Sequence, residues 1–149
     1  MYLEIALVAS LLSNPHNPMA DHEQHCLIEN AVYESIGEGK KGMQYVTEVV
    51  INRTEAGYRG DKTFCDTVYS KSQFSWTLMD EENRLKYSEE DYLEAAQVTL
   101  SVLYEEVPRL LPSNVMHYLN TRDATDMSWY DPNKVYTRYK NHAFLANVR

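Results

Sequence analysis

Glu34 is the residue of this chain best suited to acid–base chemistry. It stands in the stretch Glu29-Asn30-Ala31-Val32-Tyr33-Glu34-Ser35-Ile36-Gly37-Glu38-Gly39. On a helical wheel it falls close to Leu27 and Ala31, on the flank of an apolar face. A carboxylate placed there is partly desolvated, which raises its pKa and keeps it protonated near neutral pH. A general acid for glycosidic cleavage needs that property. The glycines that follow leave one side open to a bulky polymer. On spacing alone, a solvated glutamate at the edge of an ordinary helix is the commoner outcome. Glu38 lies past the expected helix end, either facing solvent or supporting Glu34.

The elements that must position these groups are mostly helical. Periodicity predicts a helix over Tyr2 to Ser13, closed by Asn14-Pro15, and a second over about His22 to Ile36, stopped by Gly37 and Gly39. A third, about Lys40 to Ala56, turns Met43, Val46, Val49 and Val50 inward and Gln44, Glu48 and Asn52 to another face. Gly57 ends it. From Gly57 to Tyr87 the pattern is irregular, predicting loops and a small hairpin. Ser88 caps the clearest helix, with Asp91 at its third position and a stripe of Leu93, Ala96, Leu100, Leu103 and Val107, broken by Pro108 and Pro112. Val115 to Leu119 reads as a short extended piece and Asp131-Pro132-Asn133 as a turn. The class expected is mainly α (α+β with a minor β or loop lobe), as one domain over 1–149 with an N-terminal helix inside residues 1–20.

Composition narrows the function classes. The 149 residues are 44% apolar and 24% charged, as in an ordinary globular protein. Fourteen basic against 22 acidic residues give a net charge of −8, which argues against nucleic acid as a partner. No apolar run is long enough to span a bilayer, so no membrane insertion is expected. Twelve Tyr against three Phe is a composition compatible with a carbohydrate groove, since tyrosine joins a flat face to a polar tip.

Five blocks, in order, carry a resemblance. They are Cys26 through Gly39; Gly42 through Val49-Val50-Ile51-Asn52-Arg53; Phe64-Cys65-Asp66-Thr67-Val68-Tyr69 with Gln73-Phe74-Ser75-Trp76; His117-Tyr118 with Trp129; and Asn141-His142-Ala143-Phe144. Together they resemble the SleB/CwlJ-type cell-wall hydrolases over about residues 26 to 144. The resemblance implies a lysozyme-like fold and cleavage of peptidoglycan between N-acetylmuramic acid and N-acetylglucosamine. It places the family's catalytic acid at Glu34. Four positions depart from the pattern the resemblance implies: Ser35-Ile36 stand in place of Ala-Arg, Leu119 in place of a histidine, and Lys140 in place of a glycine.

With one well-placed carboxylate, the resemblance favours a lytic transglycosylase over a two-carboxylate muramidase, with Glu48 and Asp66 as the other acids to be weighed. Gln73, Ser75, Asn52 and Tyr118 are the expected donors and acceptors for acetamido groups. Phe74, Trp76 and Trp129 are the expected faces for sugar rings, although core packing explains each aromatic equally well. Asn52 has a second reading, as a tie for a loop. His117 and His142 read as hydrogen-bonded supporting histidines.

Cys26 and Cys65 fall in blocks that often both carry cysteine in the family, which implies that they approach one another, as one disulfide or as two buried thiols. A rival reading joins His22, His25, Cys26 and Cys65 in a zinc site of an amidase that cuts peptide stems. Adjacent side chains diverge on a helix, so no metal ligand set is assigned and no cofactor is expected. A non-catalytic glycan binder is the remaining alternative. The N-terminus lacks the basic start and cleavage site of a secretory leader. The expectation is therefore a monomeric phage endolysin, held in the host cytoplasm until a holin opens the membrane, with a bacterial autolysin as the alternative.

Overall fold

The computed structural model describes residues 18–35, 37–70, 74–80, 82 and 86–148. The helix expected over Tyr2 to Ser13, the residue Gln73 and the side chain of Ser75 lie outside the described residues. Four helices and three strands follow in chain order: α1 Pro18–Ser35, α2 Gly39–Ala56, α3 Phe64–Tyr69, α4 Glu89–Leu103, β1 Val115–Asn120, β2 Val135–Tyr139 and β3 His142–Ala146. The mainly helical class with a small β lobe is thus the class observed.

Helix α2 is the centre of the molecule. Every residue from Tyr45 to Arg53 is buried, because α1 and α4 cover part of its surface and the sheet covers another. Leu27, Val50, Ile51, Val68, Phe74, Trp76 and Val102 form one core cluster. Tyr45, Val49, Leu111, Val115 and Phe144 form a second, between α2 and the sheet. The polar face expected for α2 is therefore not a solvent face. The Glu48 carboxylate accepts from the backbone N–H of Leu110 at 2.9 Å and of Leu111 at 3.0 Å, and from the Gln44 amide at 3.0 Å. Asn52 donates to the carbonyls of Pro112 and Val115 at 3.0 and 2.9 Å. These two side chains satisfy the backbone groups of the segment that carries the chain from α4 into the sheet.

Local signals set the helix ends. Thr63 caps α3 by accepting from Asp66 N–H, and Ser88 and Asp91 cap α4 reciprocally. Helix α4 stops at Leu103, short of the Val107 expected in its stripe and ahead of the prolines, with Glu105 in the left-handed region (φ 58°). The hairpin expected between Gly57 and Tyr87 is absent among the described residues. That stretch holds α3 and two 3₁₀ turns, Tyr58–Gly60 and Ser75–Leu78.

The strands lie at the other end of the chain, in the antiparallel order β1-β3-β2. Tyr139 pairs with His142, so Lys140 and Asn141 form the turn between β2 and β3. Lys140, for which the sequence resemblance implies a glycine, adopts φ 51°. That is left-handed backbone, which glycine adopts more readily than lysine.

Candidate active site

Helix α1 ends at Ser35, and its last full turn carries Glu34. The Ser35 side chain is buried, and its hydroxyl donates back to the Ala31 carbonyl. Gly37 (φ 85°) and Gly39 (φ 79°) then reverse the chain into α2. Between them Glu38 is held from the sheet: its carboxylate lies 2.8 Å from His142 Nδ1, and its carbonyl accepts from Tyr139 Oη at 3.0 Å and Lys140 Nζ at 3.1 Å. Gly42 makes room for this arrangement, since a Cβ there would stand 2.7 Å from Glu38 Cβ. The β2–β3 hairpin thereby fixes the connection that follows the candidate acid.

Glu34 opens into a groove of about 460 Å³. Arg53 of α2, Phe74 and Tyr118 of β1 accompany it, with Leu78, Leu119 and the loop 123–126 as further walls. Burial raises the Glu34 pKa, and the nearby charge of Glu38 raises it further; Tyr118 and the Arg53 guanidinium pull the other way. The Tyr118 hydroxyl is fully buried, interacts with the Glu34 carboxyl, and meets the geometric criteria for a hydrogen bond with no group among the described residues. Burial and the adjacent carboxylate push its own pKa well above the usual tyrosine value. Arg53 donates from Nε to the Met116 carbonyl, with its guanidinium carbon 5.1 Å from the centre of the Phe74 ring. The site can therefore hold a proton on Glu34 and can stabilise the carboxylate once the proton leaves.

A larger depression of about 590 Å³ lies between α2 and α4, lined by Lys40, Lys41, Gln44 and Gln97 among others. Among the described residues its lining carries no carboxylate.

The expected site residues divide into three groups. Glu34, Phe74 and Tyr118 meet in the groove, and Glu38 and His142 brace the turn beside it. Asn52 and Trp76 do not reach it. Asn52 spends both amide hydrogens on backbone carbonyls, the loop-tie reading. Trp76 is stacked on Tyr33 at 4.5 Å between centroids and donates to Asn30 Oδ1 at 2.8 Å, inside the core. Trp129 is half-buried 6.0 Å from His117, away from the groove lining described above. His117 itself meets the Tyr58 hydroxyl at 2.9 Å; burial first, then Arg53 and Arg59, lower its pKa to about 4, so it is a neutral packing histidine. Glu48 is a structural anchor, which removes it as a second catalytic acid.

Sequence reasoning missed Arg53, Asp123 and Asp126 as site residues. Arg53 stood in a quoted motif, and the signal that could have raised it is a cation closing the mostly apolar run that starts at Tyr45. The two aspartates sit in a loop of side-chain-to-backbone turns, where Asn120 accepts from Arg122 and Asp123 N–H and Asp126 from Ser128 N–H. Such residues read simply as turn formers.

Cys26 and Cys65 are joined as a disulfide, Cα to Cα 5.2 Å. The sulfurs of the zinc-amidase reading are thus bonded to each other, two helical turns from Glu34.

Glu34, half-buried at the end of α1, thus lines an open polar groove with Arg53, Phe74 and Tyr118. A family model described as Cell Wall Hydrolase matches residues 37–145, and the chain belongs to that family of peptidoglycan-degrading enzymes. The matched segment takes in Glu38, Arg53, Tyr118 and His142 and begins three residues after Glu34. No curated protein and no solved structure matches the chain.

Proposed function

We propose that this chain cleaves the β-1,4 bond between N-acetylmuramic acid and N-acetylglucosamine as a lytic transglycosylase, with Glu34 as acid and then base. The observation that supports it most is the Glu34 carboxyl lining the groove with its pKa raised by burial. Glu34 gives its proton to the glycosidic oxygen as the bond to muramic acid C1 breaks, while the N-acetyl oxygen shares the charge on C1. The resulting Glu34 carboxylate lies beside Arg53 and the Tyr118 hydroxyl, both of which favour its charged form. The C6 hydroxyl oxygen of the same sugar then attacks C1 and its proton returns to Glu34, closing a 1,6-anhydro ring.

One observation favours a muramidase as the second reading. Asp123 and Asp126 line the same groove, and hydrogen bonds from Ser128 hold Asp126 below its ordinary carboxylate range. An ionised carboxylate there is suited to activating water. Mass spectrometry of fragments released from purified peptidoglycan separates the two: anhydromuramic ends support transglycosylation, and reducing muramic acid ends support hydrolysis. Cut peptide stems would overturn both.

In this reading the substrate is recognised through sugar and acetamido contacts rather than charge, because the chain carries a net −8. The disulfide suits an enzyme that works outside a reducing cytoplasm, in keeping with an endolysin released by a holin. Expression in a bacterial cytoplasm should then lyse cells only when a holin is supplied, and lysis without one would contradict it.

A further inference from the structure

The disulfide has a third neighbour that the glycan chemistry does not use. His22 stands one helical turn before Cys26, so both side chains lie on the same face of α1. A ring nitrogen of His22, Cys26 Sγ and Cys65 Sγ all lie within 4.8 Å of one another. Ligand atoms around a tetrahedral zinc ion, with bonds of about 2.0–2.3 Å, stand roughly 3.5 Å apart. Modest side-chain rotations would bring the three atoms to that spacing once the sulfurs are unbonded. Cys26 is buried and fixes one corner, while Cys65 is half-buried and His22 exposed, leaving the fourth position open to water. A second link joins α3 to α1 beside the sulfurs, the Cys65 N–H donating to Glu23 Oε2 at 3.1 Å.

We propose that Cys26, Cys65 and His22 form a two-state site: a disulfide when oxidised, and a binding site for zinc or a similar thiophilic divalent cation when reduced. A dithiol reductant supplies two electrons and two protons, breaking the sulfur–sulfur bond and becoming a disulfide itself. The cation then binds both sulfurs as thiolates and releases their two protons, with neutral His22 as the third ligand. Oxidation by a disulfide oxidant removes two electrons from the thiolates, re-forms the bond and expels the cation. Metal thus replaces the covalent link between α1 and α3 while the chain is in a reducing compartment, and the link forms when the chain leaves it. The site lies away from the groove and takes no part in glycan cleavage.

The test uses the full chain, oxidised and phosphine-reduced, titrated with Zn²⁺ and with Co²⁺. The reduced chain is expected to take up one equivalent, to show thiolate-to-cobalt charge-transfer absorption, and to gain thermal stability with zinc. The oxidised chain is expected to bind none. His22→Ala should still form the disulfide but bind zinc more than about tenfold more weakly when reduced, since even outer-shell partners are worth that much. Equal binding by the oxidised chain, or unchanged affinity in His22→Ala, would overturn the proposal. So would a reduced chain, folded or unfolded, whose folded fraction and Tm do not respond to zinc.

Discussion

Glu34 is poised between opposed influences. Burial and Glu38 favour its protonated form, whereas Tyr118 and Arg53 favour the charged form that must follow proton donation. The balance yields a prediction at Tyr118. Removing its hydroxyl takes away an influence that lowers the Glu34 pKa, so Tyr118→Phe should move that pKa higher still. If activity requires protonated Glu34, it declines as pH rises through the Glu34 pKa. The alkaline limb of the kcat/KM profile in Tyr118→Phe should therefore shift to higher pH. A limb that stays in place would show that Tyr118 does not act on the acid. The placement of Glu34 at the edge of a buried face was legible at this scale, because Leu27 and Ala31 share that side of the helix. Asp123 and Asp126 were not, since a loop has no period from which to read a face.

The helices were legible where caps and periodicity agreed, as at Ser88 and Gly57. They were misread where tertiary contacts decided. Helix α2 looks amphipathic in sequence, yet Glu48 and Asn52 are as buried as its valines because loop backbone groups come to meet them. Asn52→Ala should therefore lower stability by about 1–3 kcal/mol, through carbonyls left unpaired, without a specific rise in KM. Denaturant unfolding alongside kinetics measures both; a KM effect without a stability loss would restore Asn52 to the groove. Strands β2 and β3 escaped notice because each is five residues long and their turn lacks a glycine. At that turn Lys140→Gly should relieve the left-handed strain, and the flexibility of glycine in the unfolded chain offsets part of the gain. The expected net stabilisation is about 0.5 kcal/mol, read as a rise in Tm. A fall in Tm would mean that the Lys140 contact with the Glu38 carbonyl outweighs the strain.

For the molecule as a whole, the fold is a buried helix clasped by two others and closed by a sheet whose hairpin reaches back to Glu38. The Cys26–Cys65 link spans 39 positions and ties α1, which carries Glu34, to α3. Replacing both cysteines by serine should cost about 2–4 kcal/mol in thermal or denaturant unfolding, mainly by freeing the unfolded chain. No change in stability would mean that α1 and α3 are held by packing alone. The pairing was legible only through family resemblance, because two cysteines 39 residues apart carry no local signal of proximity.

The central claim is that Glu34 supplies the proton for glycan cleavage. Comparing soluble fragment release from purified peptidoglycan by the native chain and by Glu34→Gln tests it most directly, with Tm measured on both. A neutral glutamine removes a carboxylate that burial disfavours when charged, so Tm at neutral pH should hold or rise, while the cleavage rate should fall by roughly a hundredfold or more. A folded Glu34→Gln protein that releases fragments at the native rate would contradict the account.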